Sequence, residues 1–261
     1  MADTAHSDST LLAATDGWDR NGADRYSLHL TREPAEIRAA QRLRHRVFAT
    51  EMGAVVRGSP TGLETDRFDE FCDHLVVHSR RSDEIVGTYR MLPPRHALAA
   101  GRLYSDDEFD LTALAPLRPD LVETGRSCVH PDHRNGAVIG LIWAGIARYL
   151  LLYGHRWLAG CASVPLGDGG TTAAGVWQAV RRHHYASRAQ RVWPYEPWPT
   201  RAVPAPARVR LPPLLRGYLR LGARVCGPPA HDPEFGVADF FVLLDSHEID
   251  QRYLTRFLGE S

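Results

Sequence analysis

The 261-residue chain has no lysine; its 31 basic residues are all arginine. That bias suits a GC-rich coding genome, and arginine's planar donor fork matches phosphate and carboxylate. Net charge is missing as well, since 31 acids balance the 31 arginines, and so no global field points to nucleic acid. The four cysteines, Cys72, Cys128, Cys161 and Cys226, are widely spaced and form no CxxC pair. They read as reduced, mostly buried thiols rather than a disulfide framework. The most apolar stretch, 138–152, is interrupted by Arg148 and is too short to cross a bilayer. Residues 1–25 are polar and acidic without the apolar core of a secretion signal, the pattern of a disordered tail. No internal repeat is present. These absences predict a cytoplasmic protein, with peripheral contact at a membrane as an option.

What is there is ordinary in amount and uneven in arrangement. A hydrophobic content of 44% is enough for a full core in one domain over 26–261. Residues 1–168 carry 23 of the acids, whereas 169–231 hold ten arginines and a single acid, Glu196. An acidic partner or an anionic membrane surface would meet that segment favourably, and a solvated basic face explains it equally well.

Strand alternation marks 26–31, and Glu33-Pro34 opens a helix that runs to about Met52 and stops at Gly53. Residues 74–78 and 85–92 read as a hairpin. The stretch 95–119 looks irregular, 121–129 is a strand, and 137–153 is long enough for a helix. A strand follows at 156–164 and a helix at 171–185. A Pro/Arg-rich insertion spans 190–230, with a short helical piece at 211–223, and a late strand at 240–244 precedes a polar helical tail. The order predicts an α/β fold: a mixed, mostly antiparallel central sheet flanked by helices, with a C-terminal extension.

Charges recur where strands should be buried. Arg90 lies inside 85–92, and Glu123 and Arg126 lie inside 121–129. Asp66, Asp69 and Asp73 cluster before a strand, and Arg44 and Arg46 lie on the first helix. Such groups are rarely buried unpaired, so a shared network of arginines and carboxylates is expected; its plainest role is to hold the N-terminal region onto the sheet. Glu123 and Arg126 are an odd number apart and should face opposite sides, unless Gly125 permits a bulge. Glu123 is the candidate general base, directly or through water, and a salt-bridge role is its rival. His130-x-x-His133 and His183-His184 lack an acid or cysteine at ligand spacing, so no metal site is predicted.

Four motifs carry a family resemblance: Leu43-Arg-His-Arg-Val-Phe48, Phe68-Asp-Glu-Phe-Cys-Asp-His-Leu75, Val86-Gly-Thr-Tyr-Arg-Met-Leu92 and Glu123-x-x-Arg-Ser-Cys-Val-His-Pro131. They resemble the ornithine N-acyltransferases, lyso-ornithine lipid synthases of the Gcn5-related N-acetyltransferase (GNAT) superfamily. The late segments 211–223 and Asp232-Pro-Glu-Phe-x-x-Ala-Asp-Phe240 resemble that family too. A more distant similarity is to acyl-homoserine-lactone synthases through Arg44, Phe48, Asp66, Asp69, Arg90, Glu123 and Arg126. The resemblance implies a GNAT-like fold and a substrate site at Arg44, Phe48, Asp66, Asp69 and Arg90. It implies a catalytic strand with Glu123 and Arg126, and an oxyanion site at the backbone amides near Cys128 and Val129. Cys128 itself reads as a buried thiol rather than a nucleophile.

The implied donor is a 3-hydroxyacyl thioester on the phosphopantetheine of acyl carrier protein, with acyl-CoA as the alternative and no bound cofactor. Arg134-Asn-Gly136-Ala-Val-Ile139 departs from the glycine-rich loop that cradles the CoA pyrophosphate, which favours the carrier. Arg134, Arg181 and Arg182 are the expected carrier contacts. The function expected is acylation of the α-amine of ornithine or a related amino acid. The rival readings are an acyl-homoserine-lactone-like or other N-acyl amino acid synthase, an acetyl-CoA-dependent acetyltransferase, and a non-catalytic carrier- or lipid-binding module.

Overall fold

The computed structural model describes residues 9–15, 26–55 and 61–249. In chain order the elements are β1 Ser9–Ala14, β2 Tyr26–Thr31, α1 Pro34–His45, β3 Asp73–Ser79, β4 Ile85–Leu92, α2 Pro94–Ala100, β5 Phe109–Asp110 and β6 Leu121–Val129. They continue with α3 Ala137–Tyr153, β7 Trp157–Pro165, α4 Thr171–His183, β8 Trp193–Pro194, α5 Pro213–Arg220, β9 Arg224–Val225, β10 Ala230–Asp232 and β11 Val237–Asp245. The chain divides into two compact units. Of the described residues, one takes in those up to Met91 with Gly125–Gly154; the other takes in Leu92–Thr124 and those from His155 to 249.

In the first unit β1, β2, β3 and β4 pair antiparallel in that order, and the second half of β6 lies beside β4. Alternation puts Leu28, Leu75, Val77 and Tyr89 in the core. The apolar run of α3 covers them with Ile142, Ile146 and Leu150. A glycine makes that approach close: a Cβ on Gly145 would lie 2.4 Å from Leu28 Cδ2. α1 carries proline in its first turn, continues as a π-helical turn over Arg46–Glu51, and is stopped at Gly53, whose φ of +73° suits glycine.

In the second unit the first half of β6 runs parallel to β7, and β7 pairs antiparallel with β11 over the whole of both strands. β10 and β9 also pair with β11. Every residue of β11 is buried, which is why it reads as a continuous apolar run rather than an alternation. α4 and α5 pack on β7. Gly160 on β7 is the point of closest approach, since a Cβ there would lie 2.4 Å from the Thr124 carbonyl oxygen.

The mixed α/β, mostly antiparallel fold is as expected, with three differences. Ser9–Ala14, assigned from sequence to a disordered tail, forms β1 against β2. The stretch 95–119, expected to be irregular, contains α2, β5 and two 3-10 segments, Tyr104–Asp107 and Thr112–Asp120. The prolines at 116 and 119 mask the order of the second of these. The domain expected over 26–261 divides into the two units above, and within its 190–230 insertion lie β8, α5 and β9. The polar helical tail lies outside the described residues apart from a 3-10 turn, Ser246–Glu248.

Two glycines of α3 separate propensity from packing. Gly140 has nothing within 4 Å of a notional Cβ, whereas Gly145 meets Leu28. Gly140→Ala is expected to stabilise by up to about 1 kcal/mol, and Gly145→Ala to destabilise by about 1–3 kcal/mol. Urea denaturation of the two variants checks the opposite signs.

Candidate active site

β6 supplies the two charges that drew attention in the sequence. Opposite faces were expected unless Gly125 permitted a bulge; the left-handed residue is Arg126, at φ +54°. A non-glycine residue there stores about 1–3 kcal/mol of strain, and the simple alternation of Glu123 and Arg126 does not apply. Arg126 is held in place by its partners: Nε meets Glu64 Oε1 at 2.9 Å and Nη2 meets Asp66 Oδ2 at 3.2 Å.

Those partners belong to a buried network in the first unit. Arg44, with a fully buried side chain, donates from Nε to Glu64 Oε2 at 2.5 Å. Its Nη2 donates to the Glu64 carbonyl and to Asp69 Oδ2, each at 2.7 Å. Arg90 Nη1 donates to Asp66 Oδ1 at 2.6 Å and Asp69 Oδ1 at 3.0 Å. Gln41 Nε2 adds a bond to Asp69 Oδ2 at 3.0 Å. Arg44, Arg90 and Arg126 thus face Glu64, Asp66 and Asp69, three charges of each sign. Burial opposes ionisation of Asp69 and Asp66. Arg44 and Arg90 beside Asp69, and Arg90 and Arg126 beside Asp66, outweigh that and hold both carboxyls below the usual range. Phe48, named with these residues from the resemblance, is buried in the same unit.

Glu64 was missed from sequence, because it sits in a Gly/Pro-rich loop with no periodic signal. Asp73, expected in the cluster, instead accepts from Arg32 at 2.5 Å and from Tyr149 Oη at 2.6 Å. Cys128 is buried, and desolvation pushes its thiol up to about 12, which suits an inert thiol rather than a nucleophile. Arg134, an expected carrier contact, is already held bidentately by Glu51 at 2.6 and 2.7 Å.

Glu123 makes a different set of contacts, in the second unit. It is 4% exposed, and its two oxygens accept from the backbone N–H groups of Tyr104, at 2.5 Å, and Ser105, at 2.8 Å. Both donors open the 3-10 turn Tyr104–Asp107. Next along the strand, Thr124 Oγ1 donates to Ala159 O at 3.1 Å and shares a bond with Tyr218 Oη at 3.0 Å.

Beyond that turn lies a carboxylate cluster absent from the sequence reading. Carboxylate oxygens of Glu108, Asp232 and Asp239 lie within 4.8 Å of one another. Asp239 is 4% exposed and accepts from Ser163 Oγ at 2.5 Å. Cys161 Sγ lies 3.5 Å from Ser105 Oγ and 3.9 Å from Glu108 Oε2. Burial, then Glu108 and Asp239, and also Glu123 push the Cys161 thiol well above its ordinary value. Cys161 thus lies beside both Glu108 and Ser105, whose backbone N–H holds Glu123. The sequence signals for the cluster were the acids at 106–108 and the Asp232-Pro-Glu-Phe-x-x-Ala-Asp239 motif. At the end of α4, Arg181 and Arg182 are exposed, the first lying 5.4 Å from the Trp177 ring centroid.

Removing one partner from the buried network strands a charge. Arg44→Met is expected to cost about 3–5 kcal/mol, and Arg134→Met, at an exposed pair, no more than about 1 kcal/mol; thermal melts of both compare them. His74 supplies a pH test. Burial lowers its pKa from 6.5 to about 4, and Nε2 bonds Asp69 O while Nδ1 is buried without a hydrogen-bond partner. A depressed histidine folds best neutral, so its contribution is full above pH 6.5 and is lost as pH falls towards 4. The loss is on the order of 3 kcal/mol, and His74→Gln is expected to flatten that part of the stability–pH curve.

Comparison with known proteins places this geometry. Residues 43–144 match the family model described as acetyltransferase (GNAT) domain. The chain is 35% identical over 244 residues to an L-ornithine N(alpha)-acyltransferase of Rhodobacter capsulatus, across 87% of this chain and 93% of that protein. It is 36% identical over 259 residues to one from Brucella abortus, across 90% and 89%. Among solved structures it resembles the CoA-dependent acyl-homoserine lactone synthase BjaI, with a TM-score of 0.52 at 18% identity over 87% of this chain and 82% of that one. That likeness is one of fold. Identity above a third, sustained along nearly the whole of both chains, is a stronger statement: the chain is an acyltransferase and belongs to the L-ornithine N(alpha)-acyltransferase family.

Proposed function

We propose that the chain transfers a (3-hydroxy)acyl group from a thioester to the α-amine of ornithine or a closely related amino acid. The product is an N-acyl amino acid of the lyso-ornithine lipid type. The observation that carries this reading is the carboxylate cluster of Glu108, Asp232 and Asp239, beside Cys161 and Ser105, the latter a backbone donor to Glu123. Three clustered carboxylates repel one another unless a cation lies among them. The side-chain ammonium of ornithine is such a cation, and holding it there fixes which nitrogen is acylated.

Glu123 is assigned the base. The neutral α-amine attacks the thioester carbon, its proton passes to Glu123 directly or through one water, and the thiolate leaves. The bonds from Tyr104 N and Ser105 N fix the carboxylate in one orientation, as a positioned base requires. Arg44, Phe48, Asp66, Asp69, Arg90 and Arg126 support the strand that carries the base by holding its second half in the first unit.

Acyl carrier protein is the donor assigned, rather than CoA. The loop before α3 lacks the glycine pattern of a pyrophosphate cradle, and the one arginine in it, Arg134, is tied to Glu51.

Two measurements test the reading. Glu123→Gln is expected to lower kcat by about 10²–10⁴-fold with an unchanged circular dichroism spectrum; a wild-type rate removes Glu123 from the base role. Asp239→Asn and Glu108→Gln are expected to raise KM for ornithine while leaving KM for norvaline, which lacks the side-chain ammonium, in place. The assay includes a chelator, because the same carboxylates suit a divalent cation. Equal effects on both acceptors would contradict the assignment.

A further inference from the structure

Backbone bonds tie several exposed arginines of the arginine-rich segment together in the second unit. α4 ends in Arg181, Arg182 and His183, and Arg224 at the start of β9 donates from Nη1 to His183 O at 3.2 Å. Val225 N donates to His184 O at 2.8 Å, and Ala186 N returns a bond to Val225 O at 3.0 Å. α5 ends at Arg220, four residues before Arg224. Val192 N donates to Cys226 O at 3.0 Å, which brings β8 alongside. Arg181, Arg182, Arg188, Arg220 and Arg224 are exposed. Among the described residues, no arginine from 181 to 224 forms an ion pair with a carboxylate.

The same arginine-rich segment carries two large exposed rings. Trp193, in β8, is 57% exposed, and Tyr195, in the bend that follows, is 60% exposed. β8 pairs with β5, Trp193 opposite Asp110, and Tyr195 N donates to Glu108 O at 2.9 Å. The chain that carries the rings therefore runs beside the chain that carries Glu108.

We infer that this face docks on an anionic lipid bilayer, with the arginines on lipid phosphates and Trp193 and Tyr195 in the headgroup layer. Charge alone would suit an acidic protein as well as a lipid. The aromatics decide for lipid, because Trp and Tyr concentrate at bilayer interfaces, where one end of the ring system is apolar and the other wet. The position of the rings points the same way, and this part rests on the acyltransferase reading above. A long-chain N-acyl product leaves water readily for a bilayer, and a rim seated in the headgroups gives its acyl chain a direct exit. None of the described helices is long and apolar enough to cross a membrane, so the contact is peripheral.

Co-sedimentation of the full chain with vesicles tests this. Binding is expected with phosphatidylglycerol/phosphatidylcholine vesicles at low salt, falling as salt rises, with little on pure phosphatidylcholine. Arg220→Gln and Arg224→Gln are each expected to lower the partition coefficient about fivefold. Brominated lipid is expected to quench wild-type fluorescence more than that of Trp193→Phe, with circular dichroism confirming that each variant is folded. No binding to anionic vesicles at low salt overturns the inference. So does a result in which the arginine variants lose retention of an acidic carrier protein while vesicle binding is unchanged. Acyl transfer is assayed in the same preparations. Vesicle binding without transfer leaves the docking face standing and removes the function, and transfer without vesicle binding does the reverse.

Discussion

The first unit depends on one burial problem: Arg44 has no solvent-exposed side-chain surface. A guanidinium in that position must be matched in charge and hydrogen bonding, or the fold loses several kcal/mol. Glu64 and Asp69 supply the charge and the partners of Nε and Nη2, leaving Nη1 buried without a hydrogen-bond partner, and Arg90 and Arg126 complete the charge balance through Asp66, Asp69 and Glu64. The result fixes α1, the loop before β3, the middle of β4 and the second half of β6 to one another. It also sustains the left-handed backbone of Arg126, which is unfavourable for any residue with a Cβ. A hydrophobic cluster of the same volume would give comparable stability with less directional demand on the backbone.

The second unit solves a different problem around the other end of the same strand. Glu123 is buried and accepts from two consecutive backbone N–H groups at the start of a 3-10 turn. That turn leads straight into Glu108, and β11 brings Asp239 to the same place. The proposed base and the carboxylate cluster are thus tied to a short piece of chain and two strands, the arrangement that positional precision requires.

Much of the framework was legible in the sequence because its signals are local. Alternation in 26–31 and the apolar run of 137–153 matched β2 and α3 to the residue, and the buried charges at 90 and 126 announced a network. Other features were not legible because they depend on distance along the chain. Glu108, Asp232 and Asp239 each look like solvated surface acids until β11 and the turn before β5 bring them together. Glu64 lies in a loop with no period at all. The segment 95–119 read as irregular because its order comes from 3-10 turns and a two-residue strand, which leave no periodic trace.

The most direct test of the central claim is to supply the folded chain with a 3-hydroxyacyl carrier-protein thioester and ornithine carrying ¹⁵N only at the α-position, and to locate the acyl group by mass spectrometry. A side-chain ammonium held by Glu108, Asp232 and Asp239, with Glu123 as base, gives a single product acylated on the labelled nitrogen. Acylation at the side-chain nitrogen, or no acylated ornithine from a folded preparation with any thioester donor, would contradict it.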